Sequence, residues 1–244
     1  MRTFGLIGYP LTHSFSQKYF TQKFSNEGIT DAEYLNFSIP GIDQLPAIMV
    51  AHPGLCGFNI TIPYKKQILE FLHHSTDAVK EMGACNCVHL IDGELHGYNT
   101  DVTGFRQSLE PFLESHHTRA LVFGTGGASA AVTYALQAMG IGYTVVSRTP
   151  DISQFSYAQL NEHVMMEHTL LINTSPVGQY PNVEAFPEIP YHFITGRHHL
   201  FDLIYNPAET AFLRKGKAQG ATTQNGYEML VLQAEESWRI WNSA

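Results

Sequence analysis

The sequence predicts an α/β protein with a largely parallel sheet and helices on its faces. Three observations carry this. Short apolar runs rich in Val, Ile, Leu and aromatic residues recur along the chain, each run is followed by polar punctuation, and a segment with helical spacing comes next. With 244 residues, one large domain or two smaller ones are expected, and 44% hydrophobic residues suffice for a core. The 12 Pro and 20 Gly are too few and too dispersed for a fibrous or disordered chain.

In the first half the strand candidates are residues 3–9 (TFGLIGY), 33–37 (EYLNF), 56–60 (CGFNI), 85–91 (CNCVHLI) and 95–98 (LHGY), each apolar or alternating and short. Residues 16–27, 42–50, 64–72 and 76–82 read as helices of the same half. The segment 103–113 reads as a helix that runs into LESHHTR, and the fresh strand ALVF at 120–123 marks a seam near residues 100–118. Beyond the seam, strands are expected at 143–146, 170–173, 200–204 and 221–223, and helices at 128–139, 208–217 and 227–241. In the last helix Leu230, Ala234, Trp238 and Trp241 form an apolar stripe that can pack back on the first lobe. The histidine pairs at 73–74, 116–117 and 198–199 lie at element ends and read as solvated surface.

Fourteen Lys and Arg against 22 Asp and Glu leave a net charge of −8, which argues against nucleic acid and anionic membrane as partners but not against a small anionic ligand. The N-terminus lacks the apolar core of a signal peptide, and no run approaches the ~20 apolar residues of a membrane helix. With three cysteines, an odd number, a disulfide framework is excluded, so a soluble cytoplasmic protein is expected.

Gly124, Gly126 and Gly127 stand directly after a strand and before a helix. In that context Gly124 permits a tight turn, Gly126 lets backbone approach a pyrophosphate, and the helix from Ala128 directs its free N–H groups at the charge. A third glycine of the pattern would fall at Ser129, and a plain strand-to-helix turn would also account for the cluster. The next strand ends in Ser147, Arg148 and Thr149, and a guanidinium with hydroxyl neighbours suits a ribose carrying a 2′-phosphate, so NADP is preferred over NAD. Asp151 is close enough to act instead as an acidic ribose ligand.

In the first half, CGFNITIPYKK delivers Lys65 from a turn near a helix start, with Asn59 and Thr61 on one side of the strand end like binding groups. Asn99, Thr100 and Asp101 stand between a strand and a helix, where Thr100 or Asp101 would also serve as an ordinary N-cap.

Ser14-Phe15-Ser16, Asn59-Ile60-Thr61-Ile62-Pro63-Tyr64-Lys65, Gly83-Ala84-Cys85-Asn86, Asn99-Thr100-Asp101 with Gly104, Gly124-Thr125-Gly126-Gly127-Ala128, and Gly226 with Met229-Leu230 and Gln233 follow one another along nearly the whole chain. In order and spacing this set resembles the shikimate dehydrogenases. The resemblance implies two lobes: a substrate-binding and catalytic α/β domain at 1–101 completed by the C-terminal helix 226–244, and a Rossmann-type NADP-binding domain at 102–225. It implies reversible reduction of 3-dehydroshikimate to shikimate with NADPH, in the route to aromatic amino acids, by a monomer or homodimer. Lys65 and Asp101 would be the catalytic pair, and Ser14, Ser16, Thr61, Asn86, Tyr205 and Gln233 would hold the substrate. Gly124, Gly126, Gly127, Ala128, Ser147, Arg148 and Thr149 would bind the cofactor, joined by Leu203 and Gly226 near the nicotinamide and by Asp77.

Cys87, Ser147 and Gln179 depart from residues common in that family, and none removes a charge that the mechanism needs. Cys85, Cys87 and His89 share a strand face, but no fourth ligand lies nearby in sequence, so no metal is expected. Two other readings are a quinate dehydrogenase preferring NAD, against which Arg148 speaks, and a dinucleotide-binding regulator without turnover, which the retained Lys65 and Asp101 disfavour.

Overall fold

The structure, a computed structural model, describes residues 1–11 and 15–243, so Ser14 lies outside the described residues. The chain divides into two compact units, Met1–Thr100 with Ala234–Ala244, and Asp101–Gln233.

The first unit holds β1 (Arg2–Gly8), α1 (Phe15–Glu27), β2 (Ala32–Ser38), α2 (Leu45–Ala51), β3 (Leu55–Ile60), β4 (His74–Ser75), α3 (Asp77–Met82), β5 (Cys87–Ile91) and β6 (Glu94–Tyr98). Its sheet runs β2-β1-β3-β5-β6-β4. β1 pairs in parallel with β2 and β3, as expected, whereas β3, β5 and β6 pair antiparallel. For β5 and β6 the cause is local: Asp92 and Gly93 take φ of 52° and 84°, and an Asp-Gly pair with both residues left-handed makes the two-residue hairpin turn that matches strand twist.

One sheet face buries Ile7, Leu45, Phe58, Ile60, Ile68 and Val88. The other buries Phe4, Phe20, Tyr34 and Cys87 against Ala234 and Trp241 of the last helix. The Trp241 ring stacks on Phe4 at 4.9 Å and its Nε1 donates to the Val88 carbonyl at 2.9 Å. Gly57 leaves the room, since a Cβ there would stand 2.3 Å from that nitrogen.

The second unit contains most of α4 (Thr100–Leu109), the N-terminal part of α8 (Tyr227–Trp241), whose remainder from Ala234 belongs to the first unit, and all of β7 (Arg119–Phe123), α5 (Gly127–Ala138), β8 (Gly142–Ser147), β9 (Phe155–Ser156), α6 (Glu162–Glu167), β10 (Leu170–Asn173), β11 (His199–Asp202), α7 (Ala211–Ala218) and β12 (Thr222–Asn225). Its sheet is wholly parallel in the order β12-β11-β10-β7-β8-β9. The chain starts at the centre with β7, steps outward through β8 and β9, and returns to fill the other side. This is the doubly wound order, with its switch point between β7 and β10. Every residue of β10 and β11 is buried, as helices on both faces require.

Several expectations change. Residues 64–72 form only a 3₁₀ segment at Gln67–Phe71, because the stretch between Pro63 and the extended Leu72 is too short to propagate a helix. The strand expected from Cys85 starts at Cys87, since the Cys85 amide donates to the Lys65 carbonyl instead of a ladder. The short β4, β9 and α6 carry too few residues to show a period. The segment 226–233 lies in the second unit because Met229 joins its core and the Met229 carbonyl packs at Gly104.

Three of the paired histidines are also buried rather than solvated, namely His117, His198 and His199. The His198 Nδ1 accepts from the Thr195 amide and its Nε2 meets the Met165 carbonyl. The His199 ring lies between Thr222 and Gln224, and burial pushes its pKa down to about 4, so it is neutral at pH 7. Each ring makes the hydrogen bonds that burial demands.

Trp241 closes the core between β1 and the last helix, so Trp241→Ala should cost about 3–5 kcal/mol of stability. Denaturant unfolding followed by far-UV circular dichroism checks this, and a loss under about 1 kcal/mol would contradict the packing.

Candidate functional site

In the first unit the functional residues gather around the ends of β3 and β6. After Ile60 the chain turns, with the Thr61 amide donating to the Ile7 carbonyl at 2.9 Å and the Tyr64 amide to the Thr61 carbonyl at 2.9 Å. The Tyr64 ring is buried and its hydroxyl donates to the Ile39 carbonyl at 2.6 Å, which pins the turn and leaves Lys65 half-buried. The Lys65 carbonyl accepts from the Cys85 amide at 2.8 Å. Burial raises the Cys85 thiol to about 11 against the opposing pull of the Lys65 charge, so the thiol is neutral at pH 7.

Asn86 follows directly. Its Oδ1 accepts from the Thr100 amide at 2.7 Å and its Nδ2 donates to the Thr100 hydroxyl at 3.1 Å. The first residue of α4 is thereby held by a side chain from another segment, and Asp101 stands in the first turn of that helix, half-buried. Asn99 anchors the approach, donating to the Ala84 carbonyl at 3.0 Å.

A buried chain of polar groups continues from Thr100. Its hydroxyl lies 3.3 Å from that of Ser237, Asn59 donates to Ser237 at 2.8 Å, and the Tyr34 hydroxyl donates to Asn59 at 2.9 Å. Burial holds the Tyr34 hydroxyl well above its ordinary pKa, opposed by a hydrogen bond with Ser16, so the chain reaches Ser16 in α1. Asn59, likened by its strand position to a binding group, is buried and bonded within this framework. Tyr34 and Ser237 escaped the sequence reading. The one signal for Ser237 is a hydroxyl on the buried stripe of α8, three residues after Ala234.

Asp77 is placed differently. It follows the N-cap Thr76 in α3, with its side chain 98% exposed and 3.3 Å from Lys80.

In the second unit β7 runs into the glycine turn. Gly124 has φ of +120° and a Cβ there would meet the Thr174 hydroxyl at 2.9 Å, so glycine is required by backbone and by space. Gly126 and Gly127 differ, since a Cβ on either would meet nothing within 4 Å. No side chain caps α5 at Gly126, and Ala128 lies in its first turn. The open backbone and the uncapped helix end suit an anion from outside the chain. A cleft of about 510 Å³ opens here, lined by Thr125, Gly126, Ser129, Ala130, Thr133, Tyr143, Val145, Ser153 and Gln154.

Beside it, at the end of β8, the buried Ser147 hydroxyl accepts from the Thr149 amide at 3.2 Å and shapes the loop that exposes Arg148. Asp151 does not serve Arg148. Its carboxylate accepts from the Ser153 amide at 2.8 Å, the Ser153 hydroxyl at 2.7 Å and the Gln154 amide at 2.6 Å, and the bonds from Ser153 hold it below the usual carboxylate range. Among the described residues no carboxylate pairs with Arg148. A phosphorylated ribose therefore fits the residues present.

Across the switch point, Gly226 and Leu203 are brought together, since a Cβ on Gly226 would stand 2.0 Å from the Leu203 carbonyl. Tyr205 is partly exposed in the loop that follows, and Gln179 is exposed after its own turn. Gln233 is buried, donates to the Leu230 carbonyl at 2.9 Å and packs on Gly104, one turn on from Asp101.

Asp202, which the sequence reading missed, organises this loop. It is fully buried and accepts from the Thr210 hydroxyl at 2.6 Å, the Asn173 amide at 3.0 Å and the Ile204 backbone at 3.1 Å. An acidic residue inside the otherwise apolar run LFDLI was its only trace.

Comparison with known proteins sets this geometry beside relatives of similar sequence and structure. Residues 6–88 match the family model described as the shikimate dehydrogenase substrate binding domain. The chain is 36% identical over 258 residues to "Shikimate dehydrogenase (NADP(+))" of Caldicellulosiruptor saccharolyticus, covering 99% of this chain and 92% of the relative. Among solved structures, the shikimate 5-dehydrogenase of Thermus thermophilus in complex with NADP(H) and shikimate is similar with TM-score 0.87 and 30% identity, covering 99% of this chain and 94% of that one. A shikimate dehydrogenase in complex with NADP+ gives TM-score 0.87 at 28% identity, covering 100% and 91%.

Burial raises the Asp202 carboxyl from 3.8 to about 6, against the pull of its three donors. A carboxyl whose pKa is higher folded than unfolded binds more protons in the folded state, so its stabilising contribution is present below 3.8 and is lost as pH rises toward about 6. The stability of the wild type relative to Asp202→Asn should accordingly fall by roughly 2–3 kcal/mol over that window. Urea titrations of both proteins at several pH values measure it, and a pH-independent difference would contradict the assignment.

Proposed function

The chain belongs to the shikimate dehydrogenase family, and we propose that it catalyses the reversible NADPH-dependent reduction of 3-dehydroshikimate to shikimate. The observation that carries this reading is the tether of Lys65 and of the α4 N-terminus to two adjacent residues, Cys85 and Asn86. A reaction that develops negative charge on a carbonyl oxygen needs a cation and an acid-base partner held without slack, and this segment supplies the holding.

In the proposed mechanism the Lys65 ammonium stabilises the charge that grows on the ketone oxygen and delivers the proton to it. Asp101 orients the ammonium and accepts from the neighbouring ring hydroxyl. Ser14, Ser16, Thr61, Asn86, Tyr205 and Gln233 hold the polyhydroxylated ring acid, whose hydroxyls both donate and accept. NADPH supplies the hydride when bound. Gly124, Gly126, Gly127 and Ala128 present backbone N–H groups to its pyrophosphate, and Ser147, Arg148 and Thr149 take the 2′-phosphate. Leu203 and Gly226 flank the nicotinamide, and Asp77 completes the proposed cofactor set. The reading includes a cytoplasmic location, action as monomer or homodimer, and a small-molecule substrate in place of nucleic acid or membrane, in keeping with a net charge of −8. No helix among the described residues is long and apolar enough to cross a membrane.

Initial rates with shikimate and quinate, each against NADP and NAD, test the assignment. Shikimate with NADP should turn over fastest, and binding of NADP without turnover of either substrate would overturn the reading. Lys65→Ala should lower kcat by at least ~100-fold while NADP affinity is retained, and a variant keeping most of its turnover would remove Lys65 from the chemistry. Arg148→Ala should raise KM for NADPH far more than for NADH, because only the former carries the 2′-phosphate. Equal rises for both cofactors would count against that role.

A further inference from the structure

We propose that His74, Glu94 and His96 form a site for one divalent ion of the zinc class, built from none of the residues assigned to the reaction. Strand register lines up the side chains. The β5–β6 pairing sets His89 opposite His96, and the β6–β4 pairing sets His96 opposite His74. Residues directly opposed across neighbouring strands project on the same face, so three imidazoles stand in a row over three strands. Glu94, two residues from His96 on β6, shares that face. The opposite face belongs to the core, where Leu95 is buried and Gly97 fits against Leu72 and Cys85.

The geometry then becomes specific. The His74 and His96 rings stack at 4.5 Å, and the His74 Nε2 lies 2.7 Å from Glu94 Oε2. One ligand atom from each of the three residues lies within 4.8 Å of the others. Donors around a tetrahedral zinc sit roughly 3.3 Å apart, a contraction that rotation of these solvent-facing side chains supplies. The third ring of the row, His89, is 8% exposed, and its Nδ1 has no hydrogen-bond partner among the described residues.

An ion pair explains His74 with Glu94 but not the second imidazole laid against them. His74 and His96 also line a depression of about 190 Å³ with Ser75, Thr76, Gly97 and Tyr98, which leaves room for non-protein ligands on the metal. Two imidazoles and a carboxylate with an open position are the donor set of borderline ions such as Zn²⁺. Bound there, the ion would fasten β4, a strand of two residues, to β6.

The test uses the full chain stripped with EDTA and titrated calorimetrically with Zn²⁺. One ion per chain is expected. His74→Ala, His96→Ala and Glu94→Gln should each weaken binding at least ~10-fold, the lower bound known for even an outer partner of a ligand. His163→Ala is the control, since His163 and Glu167 lie 3.7 Å apart and offer two donors of the same kind without a third. It should bind as the wild type does. Absence of binding, binding that survives the three substitutions, or equal loss in His163→Ala overturns the site. In the unmodified chain Zn²⁺ should also shield His74 and His96, but not His163, from diethyl pyrocarbonate, and labelling unchanged by Zn²⁺ overturns it without any variant.

Discussion

The buried amide of Asn86 is the constraint on which the first unit's chemistry rests. Its side chain takes both the amide and the hydroxyl of Thr100, and its own carbonyl accepts from Ile60 at 2.8 Å and from Asn59 at 3.2 Å. One residue thus joins the end of β3, the start of β5 and the head of α4. Its neighbour Cys85 holds the backbone of Lys65. Such a network is worth most when every member is satisfied, and its loss would leave several buried polar atoms without partners at once. That sensitivity gives the framework the rigidity that charged groups need if they are to meet a reacting atom at fixed distance.

The second unit solves a different problem, the approach of a phosphate to backbone. Glycine appears there for two separate reasons. Gly124 and Gly226 are enforced from within, by left-handed backbone in one case and by the crowding of the Leu203 carbonyl in the other. Gly126 and Gly127 are enforced by nothing in the chain itself. The absence of internal crowding at these two positions is what connects the turn to a ligand. Asp202 plays for the loop after β11 the part that Asn86 plays in the first unit, collecting three donors in a site without solvent.

The histidines show how one residue type is sorted by environment. There are 13 in the sequence. His198 and His199 are driven inside and act as hydrogen-bonding rings. His74 and His96 remain at the rim of the first sheet, stacked and beside a carboxylate. No local pattern separates the two groups. The partners that decide the matter come from distant segments, such as Met165 for His198 and Gln224 for His199.

Much of the architecture was legible in the chain because it rests on short-range physics. Short apolar runs announced β7, β8 and β10, helical spacing announced α5 and α8, and the strand-glycine-helix context of Gly124 to Gly127 marked an anion-accepting turn. Lys65, Asn86 and Asp101 could be singled out because each sits in a distinctive local string. What stayed hidden depends on contacts between segments far apart in sequence. Ser237 meets Asn59 over 178 positions, and His74 meets Glu94 only because β4 pairs with β6. The antiparallel pairing of β3 with β5, the burial of three paired histidines and the carboxyl at Asp202 likewise follow from packing. Residue identity sets which backbone shapes and chemistries are possible. Desolvation and hydrogen-bond satisfaction, which act only once the chain has closed on itself, select among them.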